Sequence, residues 1–110
     1  MTVAQIILEQ LGGNRFIVMT GSSNFIEDKT TNTLRMNLAK NASKANRLSI
    51  TLNPDDTYTM KFWRYTAPRW SNKTFSYSDA KIKEVKTFSS IYFDQMQRLF
   101  TEVTHLYTSL

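Results

Sequence analysis

The chain has 110 residues, a mass of 12.8 kDa, no cysteine and a formal net charge of +5. That length allows one domain with a modest core, and 41% hydrophobic with 21% charged residues excludes wholesale disorder. The longest apolar run, Phe16-Ile17-Val18-Met19, is too short to cross a bilayer, and the missing cysteines exclude disulfides, thiolate nucleophiles and cysteine-ligated metals.

Thr2 and Gln5 have the spacing of a capping box, and Val3, Ile6, Ile7 and Leu11 follow on one side at helical spacing. Gly12-Gly13 then supply a helix stop. Arg15–Thr20 is rich in β-formers and is expected to be a strand, closed by a turn at Gly21-Ser22-Ser23-Asn24, with a weak helical signal at Phe25–Asp28. Thr33–Leu38 alternates, with Leu34, Met36 and Leu38 inward and Thr33, Arg35 and Asn37 outward.

The stretch from Arg47 to Tyr65 is the most informative. Leu48, Ile50 and Leu52 alternate with Arg47, Ser49 and Thr51; after the turn at Asn53-Pro54-Asp55-Asp56, Tyr58, Met60 and Phe62 alternate with Thr59, Lys61, Trp63 and Tyr65. A strand sends successive side chains to opposite faces, so one face is core and the other is basic and aromatic. Residues 66–81 are polar and aromatic with Pro68 and read as a long loop, with a short edge strand at Thr74–Tyr77; Lys81–Phe88 fits either a strand or a helix. Ser89 or Ser90 can cap a last helix whose apolar stripe is Tyr92, Met96, Leu99, Phe100, Val103 and Leu106. The expected fold is α+β: a four-stranded antiparallel meander with N-terminal and C-terminal helices on one face, leaving the other face open.

Between Lys29 and Lys73 there are nine basic residues and two acids, Asp55 and Asp56, whereas the rest of the chain holds five basic and seven acidic residues. Positive charge concentrated in this way offers a field to phosphates or to an acidic protein. Together with the aromatics, it nominates Arg35, Lys40, Lys44, Arg47, Lys61, Trp63, Tyr65, Arg69 and Trp70 as the contact surface. Cations displace condensed counterions from a phosphate backbone, and flat rings stack on bases. The aromatic and glycine signature of RNA-recognition sheets is missing.

Other constellations point to less. Thr20-Gly21-Ser22-Ser23-Asn24 lacks the lysine and glycines of a phosphate cradle. His105, the only histidine, has no catalytic partner near it in sequence, and Asp55-Asp56 has a turn explanation. No catalytic residue, metal or cofactor is expected.

Three stretches resemble a family of small uncharacterised bacteriophage- and prophage-encoded proteins: Leu11–Gly21, Leu48–Leu52 with Asp56-Thr57-Tyr58, and Phe100–Thr108. The resemblance implies a phage or prophage setting and no particular activity. The start Met1-Thr2-Val3-Ala4-Gln5 has no basic and apolar leader pattern, so the cytoplasm of a bacterial host is the expected location. The expected function is a non-enzymatic binding protein contacting nucleic acid through the basic and aromatic sheet face. The alternatives are a protein-binding inhibitor of a host-defence complex, anti-CRISPR-like and directed at an acidic or nucleoprotein surface, and a virion or assembly component. No membrane partner is expected, and a homo-oligomer is compatible with the sequence.

Overall fold

The computed structural model describes residues 2–106, so Tyr107 and Thr108 of the third family-like stretch lie outside the described residues. Helix α1 (Val3–Leu11) begins with the expected capping box: Gln5 N donates to Thr2 Oγ1 at 3.2 Å, and Thr2 N donates to Gln5 Oε1 at 2.9 Å. It ends at Gly12, whose φ of 127° suits only glycine.

The next segment corrects the sequence reading. Asn14–Thr20 is a second helix, α2, and not a strand. Its β-formers serve a helical spacing: Phe16 and Thr20, four apart, are buried, while Val18 is exposed. Here tertiary packing overrides a weak intrinsic preference. The first strand is instead β1 (Ser23–Asp28), which takes in the residues expected as turn and weak helix. A bulge at Asn24, where φ is +53°, lets β1 bend as it leaves the helix.

The strands β2 (Thr33–Asn37), β3 (Arg47–Leu52) and β4 (Tyr58–Thr66) follow as read from the alternation. A two-residue pair, β5 (Trp70–Ser71) with β6 (Ser76–Tyr77), forms a small hairpin within the long connection. Lys81–Ile91 resolves as a strand, β7, pairing antiparallel with β4. The molecule is therefore α+β, with a five-stranded antiparallel sheet in the order β1-β2-β3-β4-β7.

Ser89 and Ser90 do not cap the last helix. Met60 pairs with Phe88 and Tyr58 with Ile91, so the two serines sit in a bulge, with Ser90 at φ +55°. A single 3-10 turn (Phe93–Gln95) then leads into α3 (Met96–Thr104), and Gln95 Oε1 accepts from Tyr92 N at 2.9 Å at that entry. Tyr92, expected inward, is exposed, because it precedes the helix and lies outside its apolar stripe.

All three helices pack on one sheet face. Phe16 of α2 meets Phe100 of α3 edge-on at 5.0 Å between ring centroids, and Phe100 lies 6.1 Å from Phe62 of β4. Around this aromatic centre Ile7, Leu11, Met36, Leu48, Ile50 and Met60 are fully buried. Among the described residues, no helix lies on the opposite sheet face.

The paired strands β4 and β7 outrun this core. Beyond Trp63, which still pairs with Arg47 of β3, they continue as a two-stranded ribbon through Arg64–Lys83, Tyr65–Ile82 and Thr66–Lys81, topped by the β5–β6 hairpin. Every residue from 72 to 84 is exposed. The shape reflects this: a compact domain of about this size has a radius of gyration near 13 Å, whereas the value here is 15.2 Å, with principal extents of 50 × 33 × 22 Å.

Candidate nucleic-acid interface

Register decides which side chains share the open face. Arg35 pairs with Ser49, Ser49 with Lys61, and Arg47 with Trp63, so these five residues from β2, β3 and β4 lie on one surface. Tyr65, two residues beyond Trp63, belongs to the same face, and its cross-strand partner Ile82 extends that face onto β7. A shallow depression of about 450 Å³ lies here, lined by Arg35, Ser49, Thr51, Lys61, Trp63 and Ile82.

Trp63 is half-buried, lying against the sheet, and its indole N–H donates to Ser49 Oγ at 3.1 Å. That bond fixes the ring orientation. The Arg47 guanidinium stands over the Tyr65 ring at 5.5 Å and donates to Asn46 O at 3.0 Å. Lys61 is exposed. Arg35 is partly neutralised, with Asp28 at 3.9 Å. The only other ion pair among the described residues is Arg98–Glu102 at 3.7 Å, so neither Lys61 nor Arg47 has a carboxylate partner among them.

The remaining sequence-nominated residues are not on this face. Lys40 and Lys44 lie in the 38–46 loop and line a separate hollow together with Arg64, which donates to Lys44 O at 2.7 Å. That loop is fastened on the helix side, where Ala42 N donates to Thr104 O at 3.2 Å. Arg69 and Trp70 are on the β5–β6 hairpin. Alternation within β3 and β4 could assign the sheet residues, but it carries no information about where a loop folds.

Sequence reasoning missed the cations of β7. Arg64 pairs with Lys83 and Thr66 with Lys81, on the helix-side face of the ribbon; Lys86 pairs with Phe62 and holds its ammonium 5.6 Å over the Phe88 ring. The period-two run Lys81-Ile82-Lys83-Glu84 was the available signal, and it was masked because the segment also suits a helix. At the ribbon tip Trp70 and Tyr77 meet edge-on at 5.3 Å, and the Trp70 indole donates to Asn72 Oδ1 at 2.8 Å.

The titratable groups with displaced proton affinities lie elsewhere. Asp55 is held below the ordinary carboxylate range by the Thr57 hydroxyl and then by the Thr57 backbone N–H. Tyr58 is pushed up, chiefly by burial; its hydroxyl donates to Gln10 Oε1 at 2.6 Å. His105 ends α3 in the left-handed conformation as its cap.

No family model, curated protein or solved structure matches this chain.

Proposed function

We propose that this is a non-enzymatic protein of phage or prophage origin that binds nucleic acid in the host cytoplasm through its open sheet face. The observation carrying this reading is the position of Trp63: oriented by Ser49, uncovered by any helix among the described residues, and adjacent in register to Arg47 and Lys61. A base stacked on such a ring contributes about 1–3 kcal/mol, and each cation displaces counterions from a phosphate. Tyr65, backed by Arg47, adds a second ring on the same surface.

The test is binding of labelled single-stranded oligonucleotides. Arg47→Glu with Lys61→Glu should abolish binding while leaving the far-ultraviolet dichroism unchanged, and retained binding would remove this face from consideration. Trp63→Ala should weaken binding by about tenfold or more if stacking operates. A charge-only site would barely respond to that change.

A second reading, a protein partner such as a host-defence complex, is favoured by Ile26 and Ile82, which are 59% and 67% exposed and flank the same face through their pairing with Arg35 and Tyr65. Exposed apolar side chains beside arginine and aromatics are also the makings of a protein hot spot. Affinity insensitive to salt would favour this reading over nucleic acid.

A further inference from the structure

We infer that the ribbon formed by residues 64–84 is a duplex-binding arm that enters the major groove of B-form DNA and adjoins the open sheet face at Tyr65 and Ile82; its ligand class rests on the nucleic-acid reading above. The arm carries five basic residues (Arg64, Arg69, Lys73, Lys81 and Lys83) against two acids, Asp79 and Glu84. Glu84 is engaged by the Thr87 hydroxyl, and no ion pair among the described residues neutralises the arm's cations. Most of the protein's net positive charge, three of five, therefore sits on this projection.

Geometry narrows the partner. A two-stranded ribbon fits the major groove of B-DNA, about 12 Å wide, whereas the major groove of an A-form RNA helix is too narrow to admit it. Arg64, Lys83 and Lys81 lie on one ribbon face through their pairing, while Tyr65 and Ile82 lie on the other. Cations on one side of a flat ribbon can follow a phosphate strand as the other side meets base edges. At the tip Trp70, Phe75 and Tyr77 are 51%, 77% and 69% exposed. Exposed rings at the end of a charged arm can make apolar contact with thymine methyls or wedge between base steps.

A simpler origin for some of these lysines exists. β7 is a sheet edge, and lysines on edges resist unwanted strand pairing. That device accounts for Lys81 and Lys83. Arg64 on the inner strand is held by its bond to Lys44 O, but neither device accounts for Arg69 and Lys73 at the hairpin or for the three exposed rings. The same lysine density disfavours a second copy of this chain as the occupant, because interface cores are depleted in lysine.

The experiment compares a short duplex DNA, its single strand and the matching RNA duplex by fluorescence anisotropy. Lys81→Glu with Lys83→Glu should weaken duplex DNA by about tenfold or more and leave the single strand within about twofold. In a Trp63→Phe background Trp70 is the sole tryptophan, and its emission should change on adding duplex DNA and stay constant with duplex RNA. The inference is overturned by duplex affinity unaffected in the lysine variant, by equal losses for both DNA forms, by equal affinity for duplex RNA, or by unchanged Trp70 emission. Binding of single strands without any duplex binding overturns the arm alone, whereas failure to bind any nucleic acid overturns the sheet-face reading as well.

Discussion

Asn46 stands where β3 gives out and the ribbon starts, and its side chain continues the ladder that the backbone no longer supplies. Its Oδ1 accepts from Tyr65 N at 2.7 Å, its Nδ2 donates to Tyr65 O at 2.9 Å, and its own N–H donates to Trp63 O at 3.1 Å. The side chain thus makes a strand-like pair with Tyr65 and fixes the base of the arm. Asn46→Ala should raise the exchange rate of the Tyr65 amide by about two- to tenfold, matching a hydrogen bond worth about 0.5–1.5 kcal/mol. Core amides such as that of Ile50 should be unaffected in the same exchange experiment; uniform loss of protection would instead mean general destabilisation. Asp55 offers a second residue-level test. Its carboxylate accepts from the Thr57 hydroxyl at 2.6 Å and the Thr57 N–H at 3.1 Å, and these bonds favour the ionised form. A carboxyl with lowered native proton affinity adds stability above its unfolded value of about 3.9, and that stability is lost as pH falls through the native value. The melting-temperature gap between wild type and Asp55→Ala should therefore be full near neutrality and close in acid. A gap independent of pH would assign the effect to the turn backbone.

Helix α2 shows how much a short element depends on its ends. Gly21 caps it with φ at +67°, and a Cβ at that position would lie 3.2 Å from Ala39 Cβ. Gly21→Ala should cost about 1–2 kcal/mol for the left-handed backbone alone, read from urea unfolding. Ser90 is the converse case, a non-glycine residue held at φ +55° in the β4–β7 bulge. Ser90→Gly should be neutral to about 1 kcal/mol stabilising, since relief of the left-handed conformation outweighs the added freedom of the unfolded chain. These two sites also mark where the sequence stopped being readable. Strands β2, β3 and the inner half of β4 were legible because a buried face imposes strict alternation, and α1 was legible because Thr2, Gln5 and Gly12 punctuate both its ends. In α2, Phe16-Ile17-Val18-Met19 has strand composition, and the decisive information lies in the glycines at 13 and 21 and in the aromatic partner Phe100, 84 positions from Phe16. In β7 the bulge at Ser89-Ser90 carries a serine signal that equally suits a helix cap. The open sheet face was foreseeable for the same reason as its core. The placement of Lys40, Lys44, Arg69 and Trp70 depends on loop paths, which alternation does not encode.

At the scale of the whole molecule, an aromatic-centred body of net charge +2 carries a ribbon of net charge +3, and the longest extent is 50 Å. The Tyr65–Ile82 pair is the junction, belonging at once to the open sheet face and to the arm. Two contact surfaces that meet at one residue pair should contribute separately to the electrostatics of binding, and salt dependence can count them. For duplex DNA the logarithm of affinity falls with the logarithm of salt concentration at a slope of about −0.9 for each phosphate neutralised. Replacing Lys81 and Lys83 with glutamine removes two contacts without introducing repulsion, so the duplex slope should become shallower by about 1.8. Lys61→Gln should reduce the slope by about 0.9, and the triple variant should show the sum, because each phosphate contact releases its own counterions. Titrations at four or more salt concentrations for each variant provide the measurement. If the glutamine pair lowers affinity with no change in slope, the lysines act through the ribbon's structure rather than on phosphate. If Lys61→Gln alone changes the slope, the duplex lies on the sheet face and the arm is held away from it.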